Sequence, residues 1–172
     1  MKTDVAADQE TKQENKPKRL KRGETVELTI EKFADRGKSL ARLDGRVVFV
    51  PGAVPGDRVR ALVTKSKKSY AEARLTDVLQ PSDLRTEPRC FYFPTCGGCK
   101  WQHVQYEAQL EAKRQSVEEA LVHEGGFEDV QVSPALGSPD VFFYRNKMEF
   151  SFSTRRWLTP EEIASGDDFD KG

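Results

Sequence analysis

The stretch Leu40-Ala41-Arg42-Leu43-Asp44-Gly45-Arg46-Val47-Val48-Phe49-Val50 decides the fold. Two apolar-rich runs flank Asp44-Gly45, the pair best suited to a tight hairpin, because both central positions of such a turn need positive φ. Pro51-Gly52 and Pro55-Gly56 then interrupt the sheet. Upstream, Val26, Leu28 and Ile30 alternate with Thr25, Glu27, Thr29 and Glu31, the period of two expected of a half-buried strand. Downstream, Val59, Ala61 and Val63 alternate with Arg58, Arg60 and Leu62, and a last strand is expected from about Tyr70 to Leu79, before Pro81. Five short, local strands predict a small closed or nearly closed β-barrel of the OB-like kind. Closure protects strand edges, and barrels of this size commonly bind oligonucleotides on one face.

The rest of the 172 residues adds less core. Charged residues make up 33% and the apolar set 37%, slightly poor for an average globular chain and too little for one large core. The longest run of large apolar residues is Val47 to Val50, far short of the ~20 needed to span a bilayer, so membrane insertion is not expected. Met1 to Glu10 contain no apolar stretch of the secretory type, and a cytoplasmic location is expected. Net charge is zero overall but unevenly placed: residues 16–85 carry 17 Lys and Arg against nine Asp and Glu. Residues 86–172 carry nine basic against 15 acidic residues. A basic middle is a candidate polyanion surface, because phosphate neutralisation supplies most non-specific nucleic-acid affinity. A solvated face on a small domain is the plainer reading. Arg58 and Arg60 should point outward, and Lys65, Lys67 and Lys68 crowd a loop beside Tyr70, a ring able to stack on an unpaired base or simply to pack in its strand. Lys38, Arg42 and Arg46 join the same candidate RNA surface.

Around the barrel, residues 1–18 read as a disordered tail, with no aromatic residue and no apolar period. Residues 19–80 are the barrel, 81–101 a cysteine-rich loop, 102–157 a helix plus strands of an incomplete central domain, and 158–172 an acidic, poorly ordered end. The helix is expected from near Gln102 to about His123, stopping at Gly125-Gly126, with a narrow apolar stripe of Tyr106, Leu110, Val117 and Leu121. Val130 to Val132 and Val141 to Phe152 should begin a second sheet, giving an α+β chain overall.

The strongest chemical signal is Cys90-x5-Cys96-Gly97-Gly98-Cys99. Three thiolates on one short loop suit an iron–sulfur cluster or zinc, and the glycines permit a tight turn. Phe91, Phe93 and Trp101 should restrict solvent there. With His103, the cysteines could complete a Cys3His zinc site, and no fourth cysteine exists for a four-iron cluster. A redox dithiol at Cys96 and Cys99 is a third reading, although no βαβ pattern precedes it. His123 reads as a surface residue at a helix end. Arg145 with Lys147, and Arg155 with Arg156 and Trp157, are weaker candidates for phosphate contact or simply solvated positions. No Gly-rich phosphate loop and no nucleophile–base arrangement is present, so no catalytic residue is assigned.

Gly37-x-Ser39-Leu40-Ala41-Arg42-x-Asp44-Gly45, then Val47 to Gly52 and Val54-Pro55-Gly56-Asp57, resemble the TRAM domain, a small RNA-binding barrel. Cys90-x5-Cys96-Gly97-Gly98-Cys99-x-Trp101-Gln102-His103, followed by Tyr144 to Phe152, resembles the RNA (uracil-5-)-methyltransferase family, which includes the bacterial enzymes making 5-methyluridine in large-subunit ribosomal RNA. The resemblance covers about residues 20–157. It implies a 4Fe-4S cluster rather than zinc, with Cys90, Cys96 and Cys99 as three of its ligands, and RNA, of ribosomal type, as partner. In that family the fourth cluster cysteine, the S-adenosylmethionine-binding domain, the nucleophilic cysteine and the proton-abstracting acid lie farther along the chain. The family mechanism is thiolate attack on uracil C6, methyl transfer to C5 and loss of the C5 proton. This chain is expected to be the RNA-recognition and cluster-binding N-terminal portion, inactive by itself and completed by a C-terminal methyltransferase half. A self-standing RNA-binding module with a Cys3His zinc site is the alternative.

Overall fold

The computed structural model describes residues 20–144, 147 and 152–170. The expected tail at 1–18 lies outside them, as do Arg145, Asn146 and residues 148–151 of the expected second sheet.

Six strands form one antiparallel-dominated sheet: β1 (Thr25–Thr29), β2 (Lys32–Phe33), β3 (Lys38–Leu43), β4 (Arg46–Pro51), β5 (Arg58–Ser66) and β6 (Tyr70–Gln80). Their spatial order is β1-β5-β6-β4-β3-β2. The two ends of that order, β1 and β2, are separated in the chain by Ile30 and Glu31 alone, so the sheet must curl round on itself. The expected count of five misses β2, whose two residues are too short for any period to register; they pair with Leu40 and Ser39 of β3. Every pairing is antiparallel except β4 with β6, where Val47 faces Tyr70 and Phe49 faces Glu72.

The hairpin forms where expected. Leu43 pairs with Arg46, and Asp44 and Gly45 take φ of 50° and 78°. Both angles lie in the left-handed region, a conformation that glycine adopts freely and aspartate tolerates through its short polar side chain. The core is built mostly from small and β-branched side chains, among them Val26, Ile30, Val48, Val50, Val59, Ala61, Val63 and Ala71, with Leu20 and Leu28 beside them. Branched side chains pack well on a pleated surface and suit a tightly curved sheet with little interior space. Ser39 is buried without cost to its hydroxyl, which donates to the Ala53 carbonyl at 2.7 Å.

After β6 the chain runs irregularly to helix α1 (Tyr106–His123). An isolated bridge between Arg85 and Val104 closes this segment at its base, with the Thr86 amide donating to the His103 carbonyl at 3.0 Å and the Gln105 amide to the Leu84 carbonyl at 2.9 Å. The helix starts four residues later than expected, since a turn at residues 102–103 and the bridge at Val104 precede it, and Gln105 is still non-helical. Its apolar stripe is hardly covered: Ala112 is its one buried residue among those described, and Val117 is 50% exposed.

Beyond the helix, the described residues differ from the sequence reading at two places. Residues 130–132 and 141–144 are irregular, and no described residue after Gln80 belongs to a strand. Alternation alone does not make a strand; its amides need a neighbouring ladder, and none of the described segments offers one. The acidic end is ordered enough to form α2 (Pro160–Ser165). The Thr159 hydroxyl accepts from the Glu162 amide, and the Glu162 carboxylate accepts from the Thr159 amide at 2.8 Å, a reciprocal cap. The Thr159-x-x-Glu162 signature with proline at the first helical position carries this signal.

Candidate nucleic-acid interface

Because Val48 and Val50 point into the core, Phe49 between them must face out. The β4–β6 register sets Tyr70 and Glu72 on that same outer face, and β5 brings Lys65 opposite Glu72. The result is a compact group. Phe49 and Tyr70 meet edge to face with centroids 5.8 Å apart. Lys38 lies over the Phe49 ring and Lys65 over the Tyr70 ring, each with its ammonium 5.9 Å from the centroid. Both ammonium groups also share one carboxylate, Glu72, at 3.5 and 3.8 Å. Lys67 and Lys68 stand exposed in the adjoining loop, where the Lys67 amide donates to the Tyr70 carbonyl at 2.8 Å. Two half-buried rings edged by lysine ammonium groups suit the stacking of unpaired bases beside a phosphate backbone.

The remaining expected RNA residues are placed differently. Arg58 and Arg60 do face outward, but both hold Glu27, at 2.9 and 3.4 Å, and Arg60 also reaches Asp77 at 3.7 Å. These bonds, from Arg58 above all, pull the Glu27 carboxyl below its ordinary value. Arg42 is paired with Glu31. Arg46 is only 7% exposed, and its guanidinium donates to the Ser66 hydroxyl and the Tyr70 carbonyl, both at 3.3 Å. It buttresses the strand that carries Tyr70 and shows little charge to solvent. Phe49 was not expected among these residues; its outward position between two core valines was the available signal.

Between the barrel and the loop 81–105 lies a cleft of about 820 Å³. Lys38, Phe49, Glu72 and Arg74 border it on the sheet side, and Arg85, Phe93 and His103 on the loop side. The loop is docked by Asp57, fully buried, whose carboxylate accepts from Arg85 Nη2 at 2.6 Å, Arg85 Nε at 2.8 Å, and the Val54 and Ser82 amides at 2.6 and 2.9 Å. A second docking point is Gly37, where a Cβ would stand 2.7 Å from that of Lys100. Trp101 adds a ring contact to Phe33 of β2, at 4.9 Å.

The cysteines lie on the outer side of this loop, all free and exposed. Gln102 clamps it: its Oε1 accepts from the Cys90 amide at 3.1 Å while its Nε2 donates to Cys99 Sγ at 3.1 Å. In kind, the donors fit a soft metal centre, being three sulfurs on a loop whose two ends one side chain already joins. Among the described residues, no three His, Cys, Asp or Glu side chains converge as a metal-holding group, so neither the three cysteines alone nor His103 with them is gathered into one. It is buried instead, tilted against Phe93 with centroids 5.1 Å apart. Nor do the aromatics form the expected apolar shell, since Phe91 is 58% exposed. No described helix is long and apolar enough to cross a membrane.

Residues 19–76 match the TRAM domain family. An uncharacterized RNA methyltransferase of Porphyromonas gingivalis is 46% identical over 81% of this chain and 30% of its own length. Another, of Chlorobaculum tepidum, is 48% identical over 86% of this chain and 31% of its own. The solved tRNA (uracil-54, C5)-methyltransferase of Pyrococcus abyssi aligns at 30% identity over 67% of this chain and 24% of that one, with a TM-score of 0.42, too low to bear on the fold. The chain thus carries a TRAM domain at residues 19–76 and is a relative of proteins named RNA methyltransferases, of whose length it spans about 30%.

Proposed function

We propose that this chain is the RNA-gripping part of an S-adenosylmethionine-dependent RNA (uracil-5-)-methyltransferase, a cytoplasmic protein acting on ribosomal RNA. The observation that carries the RNA-binding reading is the Phe49–Tyr70 pair flanked by Lys38 and Lys65 on the outer face of the TRAM sheet. Single-stranded RNA would lay bases on the rings while the lysines exchange Glu72 for phosphate. The chain then supplies affinity and orientation, and methyl transfer belongs to a methyltransferase domain elsewhere in the whole protein.

The resemblance of the cysteine loop, and its all-sulfur donor set, support a 4Fe-4S cluster held by Cys90, Cys96, Cys99 and one further ligand. Bound there, such a cluster would brace the loop or sense redox state. A Cys3His zinc site lacks an observation in its favour.

The test is binding of a short single-stranded RNA to the 172-residue chain across a salt series. Affinity should fall steeply as salt rises and should drop when Phe49 or Tyr70 becomes alanine. Affinity independent of both salt and the two rings would overturn the reading.

A further inference from the structure

Among the described residues, His103 borders the cleft with chemistry that the RNA grip leaves unused. The side chain is 6% exposed, and neither ring nitrogen has a hydrogen-bond partner. Burial holds the ring below its ordinary pKa, aided by the nearby Arg85 charge, which favours the neutral imidazole. A neutral imidazole carries one donor and one acceptor; the Gly52 carbonyl lies near enough to favour the donor, and leaving the acceptor unmet in a buried place is costly. Such an orphan in a native fold calls for a ligand or an ordered water. The ring also lines the cleft of about 820 Å³, within the range of small-ligand sites, whose other walls include Phe49 and Phe93.

We infer that this cleft is a nucleobase pocket, in which one unstacked base of the bound RNA enters between barrel and loop and hydrogen-bonds to His103. The inference rests on the RNA-binding reading and names the moiety the site takes. Three features point to a base rather than to an apolar group or an anion. The aromatic walls offer stacking surface, with Phe49 shared between the outer platform and the cleft. Glu72 in the lining disfavours a phosphate in the cleft, while Lys38 and Arg74, also in the lining, suit a backbone passing beside it. The imidazole answers a base edge, where N–H and carbonyl groups alternate. The Gly52 carbonyl stands near enough to favour a proton on the ring, and a ring N–H turned to it leaves the second nitrogen as an acceptor. All four bases carry an N–H group able to meet it.

The chain has two histidines, His103 and His123, and His123 ends α1 away from the cleft lining. Wild-type chain labelled with ¹⁵N in histidine should therefore report directly. Titration with uridine monophosphate should move the ring-nitrogen resonances of His103 and leave those of His123 in place, whereas ribose 5-phosphate should move neither. In parallel, a uridine octamer should bind wild type in a salt-dependent manner, and Phe93→Leu should weaken it several-fold without changing the salt slope. A His103 signal that stays fixed while the octamer binds overturns the pocket and leaves the RNA-binding reading standing, a bridging water then satisfying the ring. If the octamer itself fails to bind, both fall. A response equal for uridine monophosphate and ribose 5-phosphate also overturns the pocket, marking a phosphate site.

Discussion

Arg85 reaches from the cysteine loop to grip Asp57 of the barrel through two bonds, Nη2 at 2.6 Å and Nε at 2.8 Å. The carboxylate is fully buried and the guanidinium side chain only 21% exposed. The same Arg85 Nη2 also donates to the Gly52 carbonyl at 3.1 Å. One ion pair therefore joins barrel and loop and sets the width of the cleft between them. Removing the cation leaves a buried charge with amide partners alone. Arg85→Ala is expected to cost about 3–5 kcal/mol, as for other broken buried pairs. Urea denaturation checks it; a loss below about 1 kcal/mol would mean that the pair is no better than a surface bridge.

The RNA platform makes unequal demands on its cations. Phe49→Ala and Tyr70→Ala should each lower single-strand RNA affinity by about 1–3 kcal/mol, the usual worth of one stacked base. Lys65, Lys67 and Lys68→Ala should flatten the dependence of log affinity on log salt. Arg58→Ala and Arg60→Ala should do much less, since each frees Glu27 as it removes a cation. Fluorescence anisotropy over a salt series measures all of these, and a large effect from Arg58 would move the interface to the β1–β5 side.

Where sequence and structure agree, the cause is local. The Asp44-Gly45 turn and the strand periods depend on neighbouring residues, so both are legible in one dimension. What escaped notice depends on register. Glu72 meets Lys65 and Phe49 only because β6 pairs antiparallel with β5 and parallel with β4. Arg46 looks like any exposed cation in a basic run until the β4 side chains are assigned to faces. His103, close to Cys99 in sequence, could be read as its partner. In the fold the chain turns at Gln102, and the bridge between Arg85 and Val104 draws the imidazole inward. The described parts of the sheet expected after α1, residues 130–132 and 141–144, are irregular for the converse reason, an apolar pattern with no described partner strand.

The buried imidazole should make stability depend on pH in a defined window. His103 is held below 6.5, first by burial and then by Arg85, with Asp57 and the Gly52 carbonyl opposing. The unfolded chain therefore takes up a proton at this residue near pH 6.5, while the native chain does so only at lower pH. Stability from this group is complete above 6.5 and declines as pH falls below it. The carboxyls of Glu27, Glu111 and Glu162, all lowered from 4.5, titrate below the window. Urea midpoints should thus fall between pH 6.5 and 5 for wild type and stay level for His103→Gln. Equal slopes in the two chains would show that the ring titrates freely.

Helix α2 should respond to the loss of its cap. Glu162 is bonded to Arg156 through both carboxylate oxygens at 2.8 Å and to the Thr159 amide, which holds its pKa at about 2. Thr159→Ala is expected to cost the helix about 0.5–2 kcal/mol. In wild type the helical signal at 160–165 should persist through pH 4.5 and decline as pH approaches 2, because the depressed carboxyl is stabilising only while ionised. Backbone carbon shifts across residues 160–165 report both effects. Shifts unchanged by Thr159→Ala would assign the helix to packing and not to its cap.

The cysteine loop offers the last prediction, and it turns on Gln102. That side chain bonds the Cys90 amide and Cys99 Sγ at 3.1 Å each, so it spans the two ends of the cysteine run. A cluster on three cysteines needs those ends held together, and a hydrogen bond at a ligating sulfur helps to orient it. Anaerobic reconstitution of the chain with iron and sulfide should give a brown protein containing iron and acid-labile sulfide. Gln102→Leu should lose that iron to a chelator about 10–100-fold more readily, the typical effect of an outer-shell partner. Gln102→Asn, shorter by one methylene, should fall between the two. Because Gln102 is half-buried at the loop edge, its replacement should leave the barrel intact, which a far-ultraviolet spectrum verifies. Iron retained equally by all three chains would make Gln102 a loop brace only, and a colourless wild type would remove iron from the function altogether.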